Sequence, residues 1–283
     1  MCENRSVCIY VPAWPAERDY YIAPEVHSIV ERGKWDLVHC QGCHTFVPPL
    51  AMLAARKAGI PYVVTFHTGG HSSRARNSIR GIQWRLLRPL FAHAARLIGV
   101  SRFEANYFCN LLRLPARQFA VIPNGAALPE LPAYAREGAE PGTRSLIISV
   151  GRLERYKGHQ RLIAALPRLR ERRPDAHLLI LGSGPYEAEL RKLAQAVGVA
   201  EHVTIRSVPA GDRRAMAEIL SQASLVALLS EYEAHPIAVM EALALRRPVL
   251  VADTSGLHEL AEQKLVSAIP LDSTPEEVAR AAL

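Results

Sequence analysis

Ser230-Glu231-Tyr232-Glu233-Ala234-His235-Pro236-Ile237-Ala238-Val239-Met240-Glu241-Ala242-Leu243-Ala244-Leu245-Arg246-Arg247-Pro248 is the stretch around which the chain can be read. It follows an uninterrupted apolar run, Leu225 to Leu229, of the kind that forms a strand buried on both faces. Pro236 stands where a helix can take it, in the first turn, because its missing N–H costs nothing there. Ile237, Met240, Leu243 and Ala244 recur at helical spacing and are expected to face a sheet. Another apolar run, Val249 to Ala252, follows Pro248. The order is strand, polar turn, helix, strand. In a parallel sheet that turn lies at the carboxyl end of the strands, where ligands bind. The N–H groups and dipole of a helix start suit phosphate.

Two carboxylates mark the stretch, Glu233 just before the helix and Glu241 in its second turn. Taken singly, each reads as a capping or solvated carboxylate. Elsewhere strand-like runs alternate with helical patterns from end to end. In the first half the strands are expected at Val7–Val11, Asp36–Cys40, Tyr62–Phe66, Leu97–Val100 and Phe119–Ile122. Helical patterns lie around Pro49–Ala58, Ile79–Ala94 and Arg102–Leu112. In the second half strands are expected at Leu146–Val150, Leu178–Leu181, Val203–Arg206, Leu225–Leu229 and Val249–Ala252. Such alternation argues for α/β architecture with parallel sheets covered on both faces. Between Leu128 and Arg144 a polar stretch is broken by Pro129, Pro132, Gly138, Pro141 and Gly142 and reads as a linker. We therefore expect one domain over residues 1–140, linker included, and a second over 141–283.

The 283 residues are 49% hydrophobic and 22% charged, a globular composition with room for two cores. No apolar run approaches the roughly 20 residues of a membrane span. The opening segment lacks the layout of a signal peptide, so the expected compartment is the cytoplasm. A formal net charge of +7 suits an anionic partner. No zinc-finger, RNP or helix-turn-helix pattern accompanies it, so nucleic acid is not the expected one. The five cysteines suggest no disulfide framework. Cys40 and Cys43, flanked by His39 and His44, could hold a metal or a redox pair, but no second ligand pair supports them and packing is the plainer reading.

In the second half, Gly151-Arg152 follows a strand and Lys157-Gly158 comes soon after. A glycine lets backbone approach a ligand, Arg offers a planar fork and Lys a point charge, a set suited to a diphosphate. The same residues could be a solvated basic turn leading into the helix of Arg161, Arg168 and Arg170. Leu181-Gly182-Ser183-Gly184-Pro185 repeats strand, glycines, helix, weak evidence alone because any tight turn wants it.

Glu233-x7-Glu241, Val150-Gly151-Arg152-Leu153 with Lys157-Gly158, Gly182-Ser183-Gly184 and Ser255-Gly256-Leu257-His258-Glu259, in this order, resemble the donor-binding domain of the family-4 retaining glycosyltransferases of the GT-B fold. The resemblance runs from Leu146 to about Glu262. It is thinner in the first half, where Asp36-Leu37-Val38-His39, Tyr62 to His71, Ile98 to Ser101 and Pro123-Asn124-Gly125 resemble the family's strand ends and its turn before the hinge. It departs from the pattern at Ala234 and His235, at Arg206-Ser207 and at Arg246, where glycine is usual in several of these places.

The resemblance implies two Rossmann-like domains with a cleft between them and retaining transfer of a sugar from a nucleotide donor, UDP- or GDP-linked, to an acceptor hydroxyl. It implies that Arg152 and Lys157 meet the diphosphate, helped by the helix start at His235, Pro236 and Ile237. Gly151, Gly182 and Gly184 would line the nucleotide. Glu233 would hold sugar hydroxyls, Glu241 the ribose, and His67 the sugar from the first domain. His67 also reads as a simple capped strand end. No metal, cofactor or side-chain base is implied, and no Asp-x-Asp motif occurs. The expected acceptor is a carbohydrate or a lipid-linked or small molecule. Arg74, Arg76, Arg80, Arg85 and Arg88, which precede and enter the helix whose core stripe is Ile79, Trp84, Leu87, Leu90 and Phe91, read as a solvated face or as a contact to the inner face of an anionic membrane. Measured against the family, the chain opens late and closes early, so nucleotide binding without appreciable transfer is expected of it. Two other functions stay open: a nucleotide-binding, non-catalytic partner and a nucleotide-sugar epimerase of the same architecture.

Overall fold

The computed structural model describes residues 8–15, 21–67, 74–126, 145–209 and 211–283, with the backbone alone for 74–81. The chain divides into two compact units, the first built mainly from residues up to Ile122 and the second from Pro123 onward. The linker expected over 128–144, and with it the boundary at residue 140, lies outside the described residues, as does His71.

The first unit holds a parallel sheet of β1 (Val38–Gln41), β2 (Tyr62–Thr65), β3 (Arg96–Gly99) and β4 (Phe119–Val121), in that spatial order. Helices α1 (Glu25–Arg32), α2 (Val47–Lys57), α3 (Arg74–His93) and α4 (Arg102–Leu112) alternate with the strands. The core is aromatic: Phe66 stacks on Phe108 with ring centroids 3.7 Å apart, and Trp84 meets Phe108 edge-on at 4.9 Å. Trp84, Leu90 and Phe91 of α3 are buried as their spacing predicts. Cys40 and Cys43 are buried thiols, and burial pushes both pKa values up, Cys40 to about 11. They pack in the core with Met52 and Phe66. Among the described residues no three His, Cys, Asp or Glu side chains gather as a metal site.

The expected strand Val7–Val11 does not form among its described residues: residues 8–13 belong to no ladder, and Ile9 and Tyr10 are exposed. The nearest pairing is one antiparallel bridge between Trp14 and Ile22. An apolar run makes a strand only where a neighbour takes its N–H and C=O groups, and none is paired to this one.

The second unit carries six parallel strands: β5 (Leu146–Val150), β6 (His177–Leu181), β7 (Val203–Arg206), β8 (Leu225–Leu228), β9 (Val249–Ala252) and β10 (Ser267–Ile269), in the order β10-β9-β8-β5-β6-β7. Alternate residues face opposite layers. Ile147, Leu178, Ile180 and Ala227 join the core under α5 (His159–Arg172), α6 (Glu187–Ala196) and α10 (Pro275–Ala281). Ile148, Leu179, Val226 and Val251 join the opposite core under α7 (Arg213–Ser221), α8 (Ile237–Ala244) and α9 (Ser255–Glu262). The chain runs outward from β5 through β6 to β7, then returns to β8 and runs the other way. That reversal sets the loops after β5 and β8 side by side, with Ile148 in register with Val226.

Helix α8 turns to the sheet only part of the face its sequence suggests, since Met240 and Leu243 do pack against that core. Val239, Glu241 and Ala242 are buried, whereas Ile237 is 48% exposed, Ala244 is exposed and Met240 and Leu243 are half-buried. Nearly every residue of this helix is apolar, so spacing alone does not select its inner face. Pro236 is its N-cap, one position earlier than a first-turn residue.

Candidate functional site

The loop after β5 packs closely on the loops after β8 and β6 because one position at each junction lacks a side chain. Gly158 has φ +75°, and a Cβ there would lie 1.9 Å from the Leu229 carbonyl oxygen. A Cβ on Gly182 would stand 1.9 Å from the carbonyl oxygen of Gly151. Both are overlaps no rotamer change relieves, so these glycines serve loop-to-loop packing. Gly184 abuts the Leu153 backbone in the same way, while a Cβ on Gly151 would meet only ordinary contacts with Lys157 and His159. The Glu231 N–H donates to the Tyr156 carbonyl at 2.7 Å and completes the join.

On this frame Lys157 and Glu233 meet. Lys157 Nζ donates to Glu233 Oε1 at 2.6 Å, and Ser230 Oγ donates to the same oxygen at 2.8 Å. Both side chains are largely shielded, 15% and 10% exposed, so the pair is tighter than a surface contact. The Glu233 backbone is held as well: its N–H donates to Ser255 Oγ and its carbonyl accepts from the Gly256 N–H, each at 2.9 Å. Ser255 adopts φ +48° to do this, a left-handed conformation uncommon outside glycine. Arg152 is more open, at 58% exposed, with Nη2 donating to Tyr156 Oη at 2.7 Å and Nη1 2.8 Å from Glu154 Oε1.

Glu241 lies one helical segment away on α8, its side chain 11% exposed and its Oε1 accepting from Arg213 Nη2 at 3.1 Å. Burial raises its pKa and Arg213 opposes that rise. His235 precedes the helix. Asn124 Nδ2 donates to its carbonyl at 2.9 Å, while its Nδ1 is buried without a hydrogen-bond partner. Burial lowers the His235 pKa, so a neutral ring carries that nitrogen. Pro236 and Ile237 form the helix start, with the Pro236 carbonyl accepting from Val239 N–H at 3.2 Å.

Beneath the Gly151–Arg152 turn sits His159, 1% exposed. Its Nδ1 pairs with Ser149 Oγ at 2.9 Å, and its Nε2 lies 3.3 Å from the Arg152 carbonyl. A carbonyl only accepts, so Nε2 carries the proton and Nδ1 accepts from the serine. Burial drives its pKa down to about 4. Sequence reading passed over His159, Ser149, Ser230 and Tyr156. A serine inside the otherwise apolar strand β5 was the available signal for the first two. Arg213 carried none.

In the first unit His67 lies two residues past β2 with φ +48°, and its Nε2 bonds Gln41 Oε1 at 2.6 Å. Gln41 also reaches His39, and His39 Nε2 pairs with Thr65 Oγ1 at 2.8 Å. These polar groups collect at the carboxyl ends of β1 and β2. His67 thus belongs to a polar network and not to an isolated cap.

Comparison with known proteins gives two family matches. The glycosyl transferases group 1 model matches residues 132–281, and the glycosyltransferase family 4 model matches residues 3–128. A GDP-mannose-dependent alpha-(1-6)-phosphatidylinositol monomannoside mannosyltransferase of Mycolicibacterium smegmatis is 33% identical over 75% of this chain and 58% of its own length. The alpha-D-kanosaminyltransferase of Streptomyces kanamyceticus is 28% identical over 84% of this chain and 64% of its own. The chain thus spans about three-fifths of the length of such relatives. Among solved structures, Anabaena HepE in complex with UDP and glucose superposes with a TM-score of 0.73 at 20% identity, covering 92% of this chain and 71% of that one. Sucrose-phosphate synthase from Thermosynechococcus elongatus gives 0.69 at 21% identity, covering 90% and 65%. These likenesses establish the GT-B fold, two parallel-sheet α/β domains.

Proposed function

Since the chain belongs to the group 1, family-4 glycosyltransferases, we propose that it transfers a sugar from a nucleotide-sugar donor to an acceptor hydroxyl with retention of anomeric configuration. The observation that carries this reading is the Lys157–Glu233 pair at 2.6 Å, where the loops after β5 and β8 meet, with Glu241 on the helix that follows. A cation for phosphate, a carboxylate for sugar hydroxyls and a second carboxylate for ribose are the groups such a donor needs.

In this mechanism Arg152 and Lys157 oppose the charge that develops on the leaving diphosphate, and the first-turn N–H groups of α8 add to them. Gly151 leaves backbone open to the nucleotide, while Gly182 and Gly184 let the neighbouring loop pack closely enough to line it. Lys157 donates to one Glu233 oxygen and has further N–H groups for a diphosphate, which leaves the other Glu233 oxygen for the donor sugar. Glu233 also keeps its Ser230 bond, which fixes its direction. Glu241 accepts from the ribose hydroxyls.

UDP and GDP are the favoured nucleotides, because one relative is named for GDP-mannose and one structural neighbour was crystallised with UDP. The acceptor class, carbohydrate or lipid-linked, is supported by the relative's phosphatidylinositol mannoside. No helix among the described residues is long and apolar enough to cross a membrane. Exposed Ile82 and Leu86 beside exposed Arg85 favour a peripheral contact of α3 with an anionic cytoplasmic leaflet. Arg88 is less available to it, because its guanidinium donates to the Leu112 and Arg113 carbonyls. A role in polysaccharide or glycolipid synthesis follows.

A thermal-shift screen of the full chain against uridine, guanosine and adenosine diphosphates and their sugars tests the donor. Stabilisation by UDP or GDP is expected. Mass analysis of incubations then separates transfer or hydrolysis, which consume the donor, from epimerisation, which leaves its mass unchanged. No stabilisation by any of these nucleotides would refute the assignment.

A further inference from the structure

Arg152 and Lys157 converge on one side chain. Tyr156, the middle residue of the turn Arg155–Lys157, is 4% exposed although it stands between two cations in a polar loop. Its phenol oxygen accepts the 2.7 Å hydrogen bond from Arg152 Nη2. The Lys157 ammonium lies 5.2 Å from its ring centroid and the Arg152 guanidinium carbon 6.0 Å. Two like charges held this near one another repel, and an exposed arginine loses rotamer freedom when it is fixed. A ring face that attracts both cations, with an oxygen that takes one N–H, offsets those costs. Burial raises the phenol pKa, with both cations opposing, so the oxygen remains a neutral acceptor at pH 7. Arg152 Nη1 is at the same time 2.8 Å from Glu154 Oε1, so the Tyr156 bond is what directs its other nitrogen.

We propose that Tyr156 is a positioning residue that gathers Arg152 and Lys157 into one pair spanning two phosphates, and so sets the site's preference for a diphosphate over a monophosphate. The proposal rests on the donor-site reading above. It goes beyond it by giving phosphate count, a specificity property, to a residue that would touch the cations and not the ligand.

Calorimetric titration of the full chain with the diphosphate, monophosphate and nucleoside of whichever base binds tests it. Tyr156→Phe keeps the ring and its volume but removes the acceptor oxygen. This variant should weaken diphosphate binding about three- to ten-fold, the monophosphate by less, and the nucleoside not at all. Tyr156→Leu removes the ring as well and should weaken the diphosphate by a further factor of about three or more. Tyr156→Phe should add nothing on an Arg152→Ala background, because its effect runs through that guanidinium. A merely structural role would move all three ligands alike. The inference is overturned if Tyr156→Phe binds diphosphate as the wild type does, if it weakens all three ligands equally, or if its effect is additive with Arg152→Ala. A wild-type chain that binds no nucleotide overturns the donor-site reading too, and is distinguished from failure of the inference alone.

Discussion

Glu233 and Glu241 are both buried carboxylates, yet their surroundings give them different work. Glu233 faces Lys157 and Ser230 at the joined loops, while Glu241 faces only Arg213 among the hydrogen bonds found for it. We predict that Glu241→Gln weakens free nucleotide and nucleotide-sugar alike, as its proposed place at the ribose requires. Glu233→Gln should leave nucleotide affinity nearly intact and lower turnover, as its proposed place at the sugar requires. Wild-type kinetics in both variants would remove the paired carboxylates from the site. His159 offers a second test at this scale. Its pKa is depressed from 6.5 to about 4 in the folded chain. Between those values the unfolded chain binds more protons, so stability is whole above about pH 6.5 and falls as the pH drops towards 4, by on the order of 3 kcal/mol. Urea unfolding of the wild type and His159→Gln at pH 7 and pH 4.5 measures it. The variant should lose less on acidification, and equal losses would rule out a buried neutral imidazole.

Helix α8 shows how far an element can be read ahead of its structure. Its existence, its start at a proline and its place after a buried strand were all legible in the sequence. Its inner face was legible only in part, Met240 and Leu243 but not Ile237 and Ala244, because a helix of almost uniform apolarity carries little periodic contrast. Packing of Val239 and Ala242, and the ion pair that Glu241 makes with Arg213, select the face instead. β10 was missed for a related reason: Ser267-Ala268-Ile269 is too short and mixed to stand out, and it becomes a strand by pairing with β9. The Val7–Val11 run erred in the opposite direction, apolar enough but unpaired. The helix end at Arg246 carries a prediction of its own. Arg246 has φ +56°, where glycine is normally favoured, and its side chain is exposed. Arg246→Gly should therefore stabilise the second unit by about 0.5–1 kcal/mol, read as a rise in its melting temperature. A fall would mean that the arginine side chain makes a compensating contact.

At the scale of the whole molecule, β-α alternation announced two parallel sheets, and the motifs are the ground for proposing the donor site in the second half. Alternation does not give strand order. Only the order β10-β9-β8-β5-β6-β7 shows why residues as far apart in sequence as Lys157 and Glu233 share a proton-donor contact. The two units also differ in build. The first sheet has four short strands, with β1 and β4 at its described edges, whereas β5 and β8 lie inside six strands with a core on each face. Amide hydrogens of β1 and β4 should accordingly exchange faster than those of β5 and β8 in a mass-spectrometric time course. Equal protection would show that the edges are covered as well as the interior is.

Arg152 and Lys157 are proposed to form the diphosphate site of a nucleotide-sugar donor domain. Calorimetry of UDP, GDP, uridine and guanosine binding to the full chain and to its Arg152→Ala and Lys157→Ala variants tests this. One diphosphate should bind the wild type, and each variant should lose about 1.5–3 kcal/mol of that affinity, as for a hydrogen bond to a charged group. The corresponding nucleoside should bind all three proteins alike. Equal losses for nucleoside and diphosphate, or no diphosphate binding by the wild type, would contradict it.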